Sequence, residues 1–129
     1  MDNKVVVHLR DGRLIKGTTT NFSPTREAFH VTRLDEETVE VFLDQVKAVF
    51  FVKRFEGDRS YRDRRSFEGA LGVGRKVRCE FSDGEVLTGF VATYYPTRAG
   101  MFMTPGDPKS NNDRIFVVKS ATKSISFVR

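Results

Sequence analysis

The chain has 129 residues, 39% of them hydrophobic, with 12 Phe, no Trp, one Cys and a formal net charge of +5. That apolar content excludes a disordered polymer, and a single cysteine excludes an internal disulfide framework. No apolar run approaches the ~20 residues that cross a bilayer as a helix. Met1-Asp2-Asn3-Lys4 does not open a signal-peptide h-region, so the expectation is a cytoplasmic protein with no membrane partner. Charge is uneven along the chain. Residues 1–53 carry eight basic and eight acidic side chains, residues 54–74 five and four, and residues 75–129 nine and five. The surplus lies at the C-terminal end without forming a dense basic run. That permits phosphate binding but does not demand it.

The first segment alternates apolar and polar residues: Val5, Val7 and Leu9 against Val6, His8 and Arg10. Alternation of this kind predicts a half-buried strand. Asp11-Gly12 supplies residues that tolerate positive φ in a tight hairpin. A second strand is predicted from Leu14 to Phe22, with Gly17 marking a bend and Pro24 ending it. Third, fourth and fifth strands are expected over 28–34, 38–43 and 47–53. Only Asp44-Gln45-Val46 separates the last two, which suits one tight turn.

The pattern then returns. Lys4–Gly12 matches Lys76–Gly84 at a shift of 72, Gly17 matches Gly89, and Pro24-Thr25-Arg26 matches Pro96-Thr97-Arg98. One inserted residue later Phe29 matches Phe102, and Lys47–Val52 matches Lys123–Val128 at a shift of 76. Second-copy strands are predicted through Val86–Tyr94, Gly100–Thr104, Arg114–Lys119 and Lys123–Val128. Two copies of one five-stranded unit are implied. Each is small enough to be marginal alone, so the copies should pack together or form a homo-oligomer. The expected organisation is a first barrel over 1–53, a charged linker over 54–74, where a short helical turn fits 60–65, and a second barrel over 75–129.

The order Val-x-Val-x-Leu-x-Asp-Gly-x-Leu-Ile-x-Gly, leading to Phe22 and Pro24, resembles the first motif of Sm-like proteins. The segments Lys47–Gly57 and Asp107–Val118 extend this to an uncharacterised bacterial Sm-like domain family. The resemblance implies an all-β chain of two tandem five-stranded Sm-like or SH3-like small barrels. Sm-like proteins often bind RNA and assemble through edge strands. This chain has no Asp-x-x-Asn run after the second strand and no Ile-Arg-Gly-like element before the fifth, so no RNA-binding residues carry over.

Little in the chain points to catalysis. His8 and His30 lie on predicted strands, and Cys79 occupies the core slot equivalent to Val7. No nucleophile elbow, P-loop or metal-ligand spacing occurs. No enzyme activity, cofactor or metal is expected. Asp35-Glu36-Glu37 reads as a solvated turn, and the oxygen-rich stretch from Asp107 to Asp113 as a turn held by its own side chains. Four residues are candidates for binding. Arg26 and Arg98 recur at the same loop of both copies and suit a bidentate contact with carboxylate or phosphate. Phe50 and Phe116 stand at outward strand positions where the other copy has Ser126 and Glu40. An outward Phe needs cover, so these two should either line a contact between barrels or subunits or be covered by the linker or Phe55. The expected function is a non-catalytic binding or scaffolding module for a protein partner. The alternative is RNA or DNA binding by the basic second copy.

Overall fold

The computed structural model describes residues 3–55, 74–107 and 109–128. Ten strands form it: β1 (Asn3–Leu9), β2 (Leu14–Thr19), β3 (Ala28–Arg33), β4 (Thr38–Phe42), β5 (Val46–Val52), β6 (Arg75–Phe81), β7 (Val86–Val91), β8 (Gly100–Pro105), β9 (Asn112–Val118) and β10 (Thr122–Val128). Single 3-10 turns, Leu43–Gln45 and Lys119–Ala121, make the last connection of each half. The described residues are all-β, as their alternation predicts. The expected linker and its helical turn lie outside the described residues, apart from Arg54, Phe55 and Gly74.

Both halves repeat one strand order. The sheet runs β4-β3-β2-β1-β5 and continues without a break into β9-β8-β7-β6-β10. The repeat extends to the turns. Leu9 N–H donates to Arg13 O at 2.9 Å and Phe81 N–H to Glu85 O at 2.8 Å. Leu43 N–H donates to Glu27 O at 2.8 Å and Lys119 N–H to Ala99 O at 2.9 Å. Asp-Gly works as its chemistry dictates, Gly12 and Gly84 holding φ of 93° and 92°.

The halves are joined through β5 and β9, which pair antiparallel from Ala48↔Val117 to Val52↔Asn112. The ten strands therefore make one sheet, open at β4 and β10, rather than two separately closed ladders. Each half nevertheless curls. Four strand spacings of ~4.8 Å would hold β4 about 19 Å from β5 in a flat sheet. Yet Val41 and Leu43 share a buried cluster with Val49 and Phe51. The curl is taken up between β2 and β3, whose ladder shrinks to Gly17↔Arg33 and Thr18↔Thr32, and likewise between β7 and β8.

Two cores result, and the joint strands serve both. Val49 and Phe51 point into the first core, and Ala48, Phe50 and Val52 into the second. On β9 the roles reverse: Ile115 and Val117 belong to the second core, Phe116 and Val118 to the first. Alternation along a strand with both faces covered gives this exchange. It also explains why β5 is almost wholly buried, whereas β10, its counterpart, is not.

Three expectations need correction. Phe102 is not the counterpart of Phe29. Phe29 pairs with Val41 and Met101 with Val117, so Met101 takes the inward slot and Phe102 matches outward His30. The extra residues fall instead between β8 and β9, where the shift changes from 72 to 76. Pro24 does not end the second strand either, since β2 stops at Thr19, and its counterpart β7 likewise stops at Val91, well before Pro96. The last connections begin one residue earlier than expected, as 3-10 turns at Leu43 and Lys119.

Candidate functional site

Phe50 and Phe116 lie on opposite faces of the joint. Phe116 is fully buried and Phe50 is 8% exposed, so both cover the contact between halves and neither is available to a subunit. Phe50 packs against His8, the rings tilted by 46° with centroids 4.3 Å apart. Phe116 meets Phe22 at 5.1 Å and Phe102 at 5.0 Å, and Phe22 also meets Phe51 and Phe29 edge-on. Edge-to-face rings at these separations attract beyond their buried area. Five phenylalanines from both halves thus lock the joint on one side.

Polar contacts lock the rim. Lys47 Nζ donates to Asp83 Oδ2 and Glu85 Oε1, each at 2.7 Å, and lies 4.8 Å from the Phe81 ring centroid. Arg10 donates to Ser120 Oγ. Asn111 brackets Arg54, accepting from its N–H at 3.2 Å and donating to its carbonyl at 2.9 Å. The Lys47 ammonium lowers the Asp83 carboxyl below its ordinary value. Burial lowers Lys47 itself, but the hydrogen bonds to Asp83 and Glu85 outweigh this and the net shift is upward.

His8 is lowered from 6.5, chiefly by burial against the second half, with Lys47 adding to the effect and Glu85 opposing it. A depressed imidazole contributes stability above pH 6.5, and that stability is lost as pH falls through the folded value. The denaturation midpoint should therefore drop between pH 7 and pH 5, and His8→Phe, which keeps the ring on Phe50, should remove that part of the slope. Equal slopes in both proteins would refute the assignment. Cys79 is fully buried, and burial pushes its thiol up to about 12, which suits a core residue and not a nucleophile.

Arg26 and Arg98 are brought together. Equivalent turns place them, Arg26 N–H donating to Ser23 O and Arg98 N–H to Tyr95 O. Both line one groove of about 610 Å³ at the joint, with Pro24, Thr25 and Thr97 beside them and Glu27, Asp44 and Phe42 along the wall. Arg98 also borders a second groove of about 560 Å³, which holds Tyr95, Phe90, Phe102 and Arg114 and no carboxylate. Its guanidinium lies 4.3 Å from the Tyr95 ring. Arg114 sits between Phe51 and Phe102, at 4.3 and 4.7 Å. Stacking of this kind occupies a guanidinium's faces and leaves its N–H edges for an acceptor. No ion pair among the described residues engages Arg26, Arg98 or Arg114.

The sequence did not single out Arg114, Phe22 or Phe102 for this region. Matching Phe102 to Phe29 by residue type hid its outward place. The usable signal was strand parity: two residues before Phe116 on one strand puts Arg114 on the same face. Asp107 and Ser110 form the expected self-held turn, Asp107 Oδ1 accepting from Lys109 N–H at 3.0 Å and Ser110 Oγ from Asn112 N–H at 3.1 Å. No group of three metal-ligating side chains occurs among the described residues. No helix among them is long and apolar enough to cross a membrane.

No curated protein and no solved structure matches the chain. One family model matches it over residues 1–129, and the chain belongs to that family, the family of unknown function DUF6982.

Proposed function

We propose that the chain is a non-catalytic binding module built from two Sm-like small barrels, and that it holds an acidic segment of a protein partner in the groove between the two Pro-Thr-Arg loops. The carrying observation is the convergence of Arg26 and Arg98 on one groove with neither guanidinium engaged by a carboxylate of the described residues. Two planar forks facing one cleft suit a segment bearing two carboxylates, each taken bidentately. Phe42, 46% exposed, offers an apolar contact on the groove wall. Glu27 and Asp44 would repel a uniformly acidic strand there, and so favour spaced carboxylates.

The test is selection from a displayed random-peptide library, followed by affinity measurement on the selected peptides. The reading requires enrichment of peptides with spaced Asp or Glu, and a loss of about tenfold in affinity for each of Arg26→Ala and Arg98→Ala. Absence of acidic enrichment, or binding indifferent to both substitutions, would overturn it. The aromatic groove with Arg98 and Arg114 favours a second reading, single-stranded nucleic acid stacked on Tyr95 and Phe102. Salt-sensitive retention of an oligonucleotide that Arg114→Ala abolishes would mark that alternative.

A further inference from the structure

The two grooves are not separate. Pro24 and Arg98 line both, so a segment held at Arg98 can continue from the first groove into the second. The second groove also differs from the same face of the first copy, and in one direction. Where the first copy has Thr18, Ser23, His30, Thr38 and Glu40, the second has Phe90, Tyr95, Phe102, Arg114 and Phe116. Rings and a guanidinium thus stand in place of an imidazole, a carboxylate and hydroxyls. The joint accounts for Phe102 and Phe116, which pack with Phe22. It does not account for Tyr95, which is 49% exposed in the loop that carries Arg98. We propose that the partner's acidic segment carries an aromatic residue beside one of its carboxylates. The ring seats in the second groove against Tyr95 and Phe102, and the carboxylate is taken by Arg114. This rests on the acidic-peptide reading of the first groove.

The wall of the second groove is set before a ligand arrives. Tyr95 O accepts from Arg98 N–H at 3.2 Å and from Lys119 Nζ at 2.7 Å. Leu43 stands at the place of Lys119 in the first copy, and its side chain cannot make this bond. The second Pro-Thr-Arg loop therefore has a clamp that the first lacks, and a loop held in advance costs less to order on binding. Tyr95 then offers a fixed, open ring, and aromatic pairs attract edge-on or offset beyond the area they bury. Arg114 has Phe51 and Phe102 near its guanidinium, at 4.3 and 4.7 Å. It meets a ligand through its N–H edges, which select a carboxylate and not the ring. Because Arg114 lies so close to Phe102, the ring and the acid belong to neighbouring residues of the ligand. A nucleic-acid strand on the same rings would run past Arg98 toward Glu27 and Asp44, which repel a continuous phosphate chain. A peptide with spaced charges avoids that repulsion.

The test uses the acidic peptides selected on the full chain from the random library. Phe, Tyr or Trp should recur among them at a constant offset from an Asp or Glu. Replacing that ring by Ala should weaken binding to wild type about fivefold, and should leave binding to Tyr95→Ala nearly unchanged. Replacing the neighbouring acid by its amide should couple in the same way to Arg114→Gln. Arg26→Ala should weaken every selected peptide without coupling to the ring. Tyr95 is exposed, so its variant keeps the fold, and circular dichroism checks this for Arg114→Gln. Acidic peptides with no recurrent ring, or a ring whose loss costs the same on wild type and Tyr95→Ala, would overturn this inference and leave the first-groove reading standing. A selection without acidic peptides would overturn both. Retention of oligodeoxythymidine that Tyr95→Ala abolishes, with peptide binding unaffected, would assign the second groove to nucleic acid and overturn the proposal.

Discussion

Phe116→Ala should lower the unfolding free energy by about 3–5 kcal/mol, the range for deleting a buried Phe ring from a packed core. Phe116 is fully buried, yet its ring belongs to the core of the other half, against Phe22 and Phe102. Its removal opens a cavity in the first core and cuts the side-chain tie between halves, although every first-half residue is unchanged. Both halves should therefore lose stability together in one transition. The control is Phe42→Ala. Phe42 is 46% exposed on β4, so its loss should stay within about 0.5 kcal/mol. Denaturant unfolding with m-values compared checks both. A Phe116→Ala effect no larger than that of Phe42→Ala would show that the halves do not share a core.

Gly17→Ala should cost about 3 kcal/mol, at the upper end for inserting a methyl where nothing yields. A Cβ at Gly17 would lie 2.1 Å from the Thr32 carbonyl oxygen and 2.8 Å from Val31 Cγ1. The oxygen belongs to the paired backbone of β3, at the two-pair ladder where the sheet turns over. It cannot retreat without parting the strands. Gly12→Ala supplies the contrast: a Cβ there meets nothing within 4 Å, and only its φ of 93° is unfavourable. That penalty is about 1–2 kcal/mol. Gly17→Ala costing no more than Gly12→Ala would refute the close approach as the reason for glycine in β2.

The strand content was legible because half-buried strands alternate, and the second copy repeated the evidence. Val5, Val7, Val77 and Cys79 all lie fully buried where alternation placed them. Gly17 and Gly89 marked the bends for a steric reason that the residue itself encodes. The joint was half-legible. Outward Phe50 and Phe116 signalled a covered surface, but not that one strand from each half would serve two cores. That outcome depends on which edges pair, and edge pairing leaves no local trace in composition. Residue type misplaces the register of β8, because Phe102 resembles Phe29 in type whereas its parity on the strand matches His30. The arginines at 26 and 98 were visible as repeated loop residues. Their shared groove was not, since it exists only once the halves are set side by side.

The joint is tested most directly by nuclear Overhauser contacts between β5 and β9, recorded on labelled chain diluted into unlabelled chain. Cross-strand contacts linking Val49 with Phe116 and Phe50 with Ile115 are expected, together with slow amide exchange along β5. Their absence, with β5 amides exchanging as freely as those of an edge strand, would contradict the continuous sheet and the two-sided core built on it.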